Sequence, residues 1–270
     1  MASHEVVLSD LREAWSSTLG GRLLALYVHG SLVAGDFAAD RSDLDLLAVL
    51  DADPDERLLG SLAGLHARLD RRHPRWAGRI EVEYVSLQAI RDAAQDRTAL
   101  QHRIARVSPG ESLHLLDATA HRIVTWSAVH DYGQRLLGPP AGALLPAVDS
   151  ELVRRALVEH VRDWPIWVTQ MNAPGAQAYT VLTLCRALQR LTHDRQLSKR
   201  RAAEQTIIVC PHWADLISWA RDWWYGGGQD TDPGPTDDVQ AFVNELSTAI
   251  LAAEGARLGR GHPGIPETRT

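Results

Sequence analysis

The chain has 270 residues, 45% of them hydrophobic, a formal net charge of −6 and only two cysteines, Cys185 and Cys210. That length allows one large or two modest domains with a sizeable core, and cysteines outside any C-x-x-C pair argue against a disulfide framework or structural zinc and fit a reducing compartment. The acidic balance gives no general attraction to nucleic acid, whereas a locally acidic cleft would favour a cationic small molecule.

A charged-then-apolar leader is missing, as is an apolar run of about 18 residues, so a cytoplasmic protein that does not engage a membrane is expected. Among 28 basic residues Lys199 is the single lysine.

In chain order, Ser9 is predicted to cap a first amphipathic helix over 9–19, with Leu11, Trp15 and Leu19 on one face and a stop at Gly20-Gly21. Leu23 to His29 reads as a buried strand delivering Gly30 and Ser31. A short helix follows, and Asp43-Leu44-Asp45 opens a second strand through Leu50. Asp53, ahead of Pro54, is predicted to cap a helix carrying Leu58, Leu59, Leu62, Leu65 and Leu69 on one face. Over 79–85, Ile80, Val82 and Tyr84 alternate with Glu81 and Glu83 as in a half-buried strand. Ser86 starts a short helix through Asp96, and Glu111 to Leu116 reads as a further strand.

Residues 119–137 are predicted helical up to Gly138-Pro139-Pro140, and 141–148 form a connector. The domain boundary is placed there, giving domains of 1–148 and 149–270. The second half is then helical over 151–171, 175–193, 199–209, 212–225 and 236–256, with breaks at Pro174, Pro211 and Gly226-Gly227-Gly228. The final dozen residues, with Pro263, Pro266 and Arg269, read as a loose tail.

The stretch from Gly30 to Asp45 carries chemistry. Glycine lets the backbone approach a phosphate closely, and Ser31 offers an N–H and a hydroxyl at a helix start. Residues two apart on a strand share a face, so Asp43 and Asp45 can converge on one hard cation, with magnesium and a nucleoside triphosphate as the natural ligand. Glu81, on a separate strand, supplies a third carboxylate able to take a hydroxyl proton or complete the metal site. Those are the parts nucleotidyl transfer needs. Glu83 shares the face of Glu81 and is read as a solvated strand residue. Lys199 opens a helix from which an ammonium could reach a triphosphate, or is simply an exposed helix-start lysine. Trp126, Trp164 and Trp167 could form an aromatic wall, although core packing is the commoner use. His29, His130 and His160 are assigned no role.

These residues resemble the aminoglycoside nucleotidyltransferases that adenylylate streptomycin and spectinomycin. The resemblance rests on His29-Gly30-Ser31, on Arg41-Ser42-Asp43-Leu44-Asp45-Leu46-Leu47 and on Ile80-Glu81-Val82-Glu83-Tyr84-Val85, which belong to the wider polymerase-beta-like superfamily. It also rests on Leu136-Leu137-Gly138-Pro139 and, in the helical half, on Val181-Leu182-Thr183-Leu184-Cys185-Arg186 and Ser198-Lys199-Arg200-Arg201-Ala202-Ala203-Glu204. It implies an α+β architecture, a mixed-sheet nucleotidyltransferase domain with flanking helices followed by a C-terminal helical bundle, with ATP and the acceptor bound between them. It also implies Asp43 and Asp45 as magnesium ligands, Glu81 as catalytic base and Lys199 as a contact to the ATP phosphates, with Gly30 and Ser31 in the nucleotide-binding turn. The chain departs from the pattern at Ala176, where similar enzymes carry an acid that reads the aminoglycoside, and at Tyr179, where histidine or asparagine is usual.

The reading expected is transfer of AMP from ATP to a hydroxyl of a cationic aminoglycoside or aminocyclitol, with release of pyrophosphate, by a protein that binds neither nucleic acid nor membrane; its oligomeric state is left open, with a monomer favoured. Two alternatives stand beside it. One is the same transfer onto a lincosamide, another metabolite or a protein hydroxyl; the other is a non-catalytic nucleotide-binding protein on this fold.

Overall fold

A computed structural model of the chain describes residues 3–39, 41–97, 102–193 and 196–260. The chain divides into two compact units, Met1–Ala156 and Leu157–Thr270. The tail predicted around Pro263, Pro266 and Arg269 lies outside the described residues.

In the first unit the elements run α1 (Ser3–Leu19), β1 (Leu23–Val28), α2 (Gly30–Val33), β2 (Leu44–Leu50), α3 (Glu56–Arg72), β3 (Ile80–Ser86), α4 (Leu87–Ala94), β4 (Arg103–Ser108), β5 (Glu111–Asp117), α5 (Arg122–Tyr132), β6 (Gln134–Leu137) and α6 (Ala141–Leu144). Among the described residues six strands make one sheet in the order β5-β4-β3-β2-β1-β6. Only β2 and β3 run parallel in it; the other neighbours are antiparallel. The expected mixed sheet with flanking helices is therefore present.

Both faces of the central strands are covered, which is why Leu44–Leu50 reads as an almost unbroken apolar run. Leu44, Leu46, Ala48, Val82 and Tyr84 pack with Leu11 and Trp15 of α1 and Leu62 and Leu65 of α3. Leu47, Val49 and Val85 pack on the opposite side with Ile90, Ile123 and Trp126. In the first layer the Trp15 and Tyr84 rings stack at 6.4 Å, and the Tyr84 hydroxyl meets His66 Nε2 at 2.8 Å. Burial pulls the His66 imidazole down to about 4, against a weaker upward influence of Asp70.

Several expected boundaries move. The first helix starts six residues earlier than Ser9, at Ser3, because Val7 also belongs to its buried stripe. Asp55, not Asp53, caps α3 by accepting from Leu58 N–H at 2.7 Å. Asp53 instead receives the Ser86 hydroxyl and, at 2.9 Å, pairs with His102 Nδ1. The helix predicted to reach Leu137 ends at Tyr132, and residues 134–137 form the edge strand β6 beside β1. Gly133 marks that break, since a Cβ there would lie 2.5 Å from the Val129 carbonyl oxygen.

The helix α7 (Ser150–Trp167) runs across the division between the units. The second unit then holds α8 (Pro174–His193), α9 (Lys199–Val209), α10 (Ala214–Gly226) and α11 (Thr236–Arg260), the helical bundle expected. Its core centres on α8, where Val181, Leu184 and Cys185 are fully buried, with Ala203, Ile217 and Phe242 from the other helices. Gly227 closes α10 at φ +88°, the left-handed conformation that glycine adopts without penalty. No helix among the described residues is long and apolar enough to cross a membrane.

Candidate active site

The site grows from the turn after β1. His29 N–H donates to the Asp45 carbonyl at 2.9 Å, holding the turn against β2, and Gly30 adopts φ +67°. A Cβ at residue 30 would sit 1.9 Å from Asp45 Oδ2 and 2.6 Å from its Cγ. Glycine is thus required twice, for its backbone conformation and for the space it leaves to the carboxylate. Ser31 is the second residue of the four-residue helix that follows.

The parallel register sets Asp45 opposite Glu81 and Leu47 opposite Glu83. Alternation therefore sends Asp45, Glu81 and Glu83 to the side of Leu47 and Val49, with Asp43 following the same period just ahead of β2. Gly30, Asp45 and Glu81 are brought together at the leading ends of two neighbouring strands, and Asp43 lies two residues ahead of Asp45 in the chain. Lys199 belongs to the second unit.

Arginines brace the carboxylates. Arg79 Nε approaches Asp43 Oδ1 at 3.9 Å, and the same guanidinium donates to the Ala39 and Ser42 carbonyls while lying 4.8 Å from the Trp76 ring centroid. It ties the loop before Asp43 to the start of β3. Arg106 on β4 pairs with Glu81 Oε1 at 3.0 Å and with Glu111 at 3.8 Å. Burial works to lower the Arg106 pKa, yet the neighbouring charge and hydrogen bond of Glu81, with help from Glu111 and Glu83, raise it above its usual value.

Glu83 is not a solvated strand residue. It is buried, accepts from Trp126 Nε1 at 2.5 Å and pairs with Arg122 at 3.0 Å. The helix α5 covers this part of the face, a tertiary event that strand alternation does not announce. Trp126 and Trp164 are 1% and 3% exposed, which makes them core rather than an open wall; Trp164 and Trp167 pack edge-on with each other and with His160.

In the second unit Ser198 caps α9, accepting from Arg201 N–H at 3.3 Å, so Lys199 is the first residue of that helix, as expected. Its ammonium lies 3.7 Å from the Trp224 ring centroid and 4.8 Å from that of Tyr179. The tyrosine noted as a departure in sequence is thus a contact of the lysine.

The carboxylates fit a magnesium ion in kind, since they are hard oxygen donors at the leading ends of two central strands. Among the described residues no group of three or more His, Cys, Asp or Glu side chains could by itself hold a metal.

Two family models match the chain: "Nucleotidyltransferase domain" over residues 8–105 and "Aminoglycoside adenylyltransferase, C-terminal domain" over residues 143–249. No curated protein sequence matches it. Among solved structures it is similar to spectinomycin adenyltransferase AAD(9) from Enterococcus faecialis, crystallised with ATP and spectinomycin, at a TM-score of 0.70 and 16% identity, over 91% of this chain and 98% of that one. At that identity the likeness speaks for the fold.

Proposed function

Because the chain belongs to the aminoglycoside nucleotidyltransferases, a nucleotidyltransferase domain followed by the C-terminal domain of the adenylyltransferases, we propose that it passes AMP from ATP to a hydroxyl of a cationic aminoglycoside or aminocyclitol and releases pyrophosphate. The observation that carries this reading is the Asp45–Glu81 pairing across parallel strands, with Gly30 packed against Asp45 and Asp43 two residues upstream. The structural neighbour with bound ATP and spectinomycin supports the two substrate classes.

In this mechanism the backbone at Gly30 and Ser31 contacts the triphosphate. Asp43 and Asp45 hold magnesium, which when bound supplies positive charge against the polyphosphate. Glu81 accepts the proton of the acceptor hydroxyl as its oxygen bonds to the α-phosphorus and the bond to pyrophosphate breaks. Arg106 orients that carboxylate through the 3.0 Å contact. Lys199 contacts the ATP phosphates and lowers the cost of gathering their charge.

The deciding experiment measures pyrophosphate release from ATP and magnesium across aminoglycosides, lincosamides and a blank without acceptor, with mass analysis of products and Asp45→Ala as control. A gain of one AMP on an aminoglycoside, absent with the variant, is expected. Turnover only on another acceptor would overturn the aminoglycoside assignment, and silence without ATP binding would overturn the enzyme reading.

A further inference from the structure

Lysine is an awkward phosphate ligand, a point charge on a stem with four rotatable bonds that must be ordered before it is useful. In this chain the single lysine lies against rings. The Lys199 ammonium lies over Trp224 at 3.7 Å and beside Tyr179 at 4.8 Å. The two ring centroids are 6.1 Å apart at a tilt of 45°, so they form an open angle around the cation rather than a stack. The next residue repeats the device, with the Arg200 guanidinium 4.0 Å from the Tyr225 ring centroid. The first two residues of α9 are therefore both docked on the last turn of α10, and α8 contributes the third ring.

A ring face attracts a cation through its quadrupole. We propose that Trp224 and Tyr179 are positioning residues that hold Lys199 ready for the phosphates of ATP, with Trp224 the principal support because it is nearer. This rests on the reading of Lys199 as a phosphate contact and goes beyond it by assigning two aromatic residues a part in nucleotide affinity.

The test uses the full-length protein and begins with the lysine itself. Lys199→Met is expected to raise the KM for ATP; an unchanged KM would overturn the underlying phosphate reading and the present one with it. With that in place, Trp224→Leu is expected to raise the ATP KM by about three- to tenfold with kcat changed less. Trp224→Phe, which keeps a ring face, should restore most of the loss. In the Lys199→Met background Trp224→Leu should add little. A rise of the same size in that background, or Trp224→Phe behaving like Trp224→Leu, would show general packing and overturn the proposal. Should Trp224→Leu fail to fold, the unaltered protein decides: selective carbon-13 labelling of lysine gives signals from one side chain. Its ε-methylene protons are expected upfield of the unstructured position, and a shift at that position would overturn the proposal.

Discussion

Asp45 and Glu81 face each other as register partners across β2 and β3, the one parallel pair of the sheet. One residue belongs to the loop-fed strand that follows the Gly30 turn, the other to a strand reached only after the whole of α3. Their meeting makes the site a product of sheet pairing rather than of any local motif.

Replacing Gly30 by alanine should disable the enzyme without unfolding it. The new Cβ would meet Asp45 Oδ2 at 1.9 Å, and a left-handed backbone conformation costs a non-glycine residue about 1–2 kcal/mol. Displacing the carboxylate by the better part of an ångström should lower kcat/KM by about a hundredfold. Steady-state kinetics beside a thermal melt will separate the two effects.

Glu81→Gln keeps the shape and hydrogen-bonding length of the side chain but removes its capacity to accept a proton. A fall in kcat of about 10²- to 10⁴-fold with little change in the ATP KM is expected. A kcat within a few-fold of wild type, measured by pyrophosphate release, would assign the base elsewhere.

Glu83 should behave as a structural residue. Removing its carboxylate leaves Arg122 buried without that charge, and breaking a buried pair in this way costs about 3–5 kcal/mol. Urea unfolding of Glu83→Ala is expected to show that loss, with the folded fraction retaining far more turnover than Glu81→Gln.

Stability should peak close to pH 6.5. Folded His66 takes a proton only at about 4, against 6.5 in the unfolded chain, so folding weakens as pH falls through that window, by about 3 kcal/mol over its full width. His102 runs the other way. Burial lowers its affinity for a proton, but Asp92 and Asp53 together raise it above 6.5, so its contribution is complete below 6.5 and fades as pH rises through the folded value. Melting temperatures across the range should show both limbs, with His66→Gln flattening the acid one and His102→Asn the alkaline one.

Magnesium alone should stabilise the protein little, because no group of three or more ligating side chains able to hold a metal is gathered among the described residues. Magnesium with ATP should raise the melting temperature as a tightly bound ligand does, and chelation should abolish pyrophosphate release. A large shift with the metal alone would point to a site built wholly from protein.

The strands that begin at Leu23, Leu44 and Ile80 are legible in the amino-acid sequence, because apolar runs or strict alternation announce them, and α9 begins at Lys199 because Ser198 is a strong cap. What the sequence hides depends on partners far away along the chain. The fragment Gln134–Leu137 continues a helix-like apolar pattern and becomes a strand only because β1 offers an edge. Arg103–Ser108 is short and interrupted by arginine, and it is a strand because β3 and β5 flank it. Glu83 looks like its neighbour two residues earlier until α5 lays Arg122 and Trp126 over it. The ring pair around Lys199 unites α8, α9 and α10, a conjunction that no spacing rule encodes.

The two apolar layers on either side of β3 act as a proofreading device for the chemistry. Sliding that strand by a single residue would turn Glu81 and Glu83 toward Trp15 and Leu62 and push Ile80 and Val82 to the polar edge. Such a chain would lose its core along with its Asp45–Glu81 pairing. Molecules that survive folding therefore arrive with the carboxylates already in alignment, so a damaged preparation should contain fewer working copies rather than slower ones.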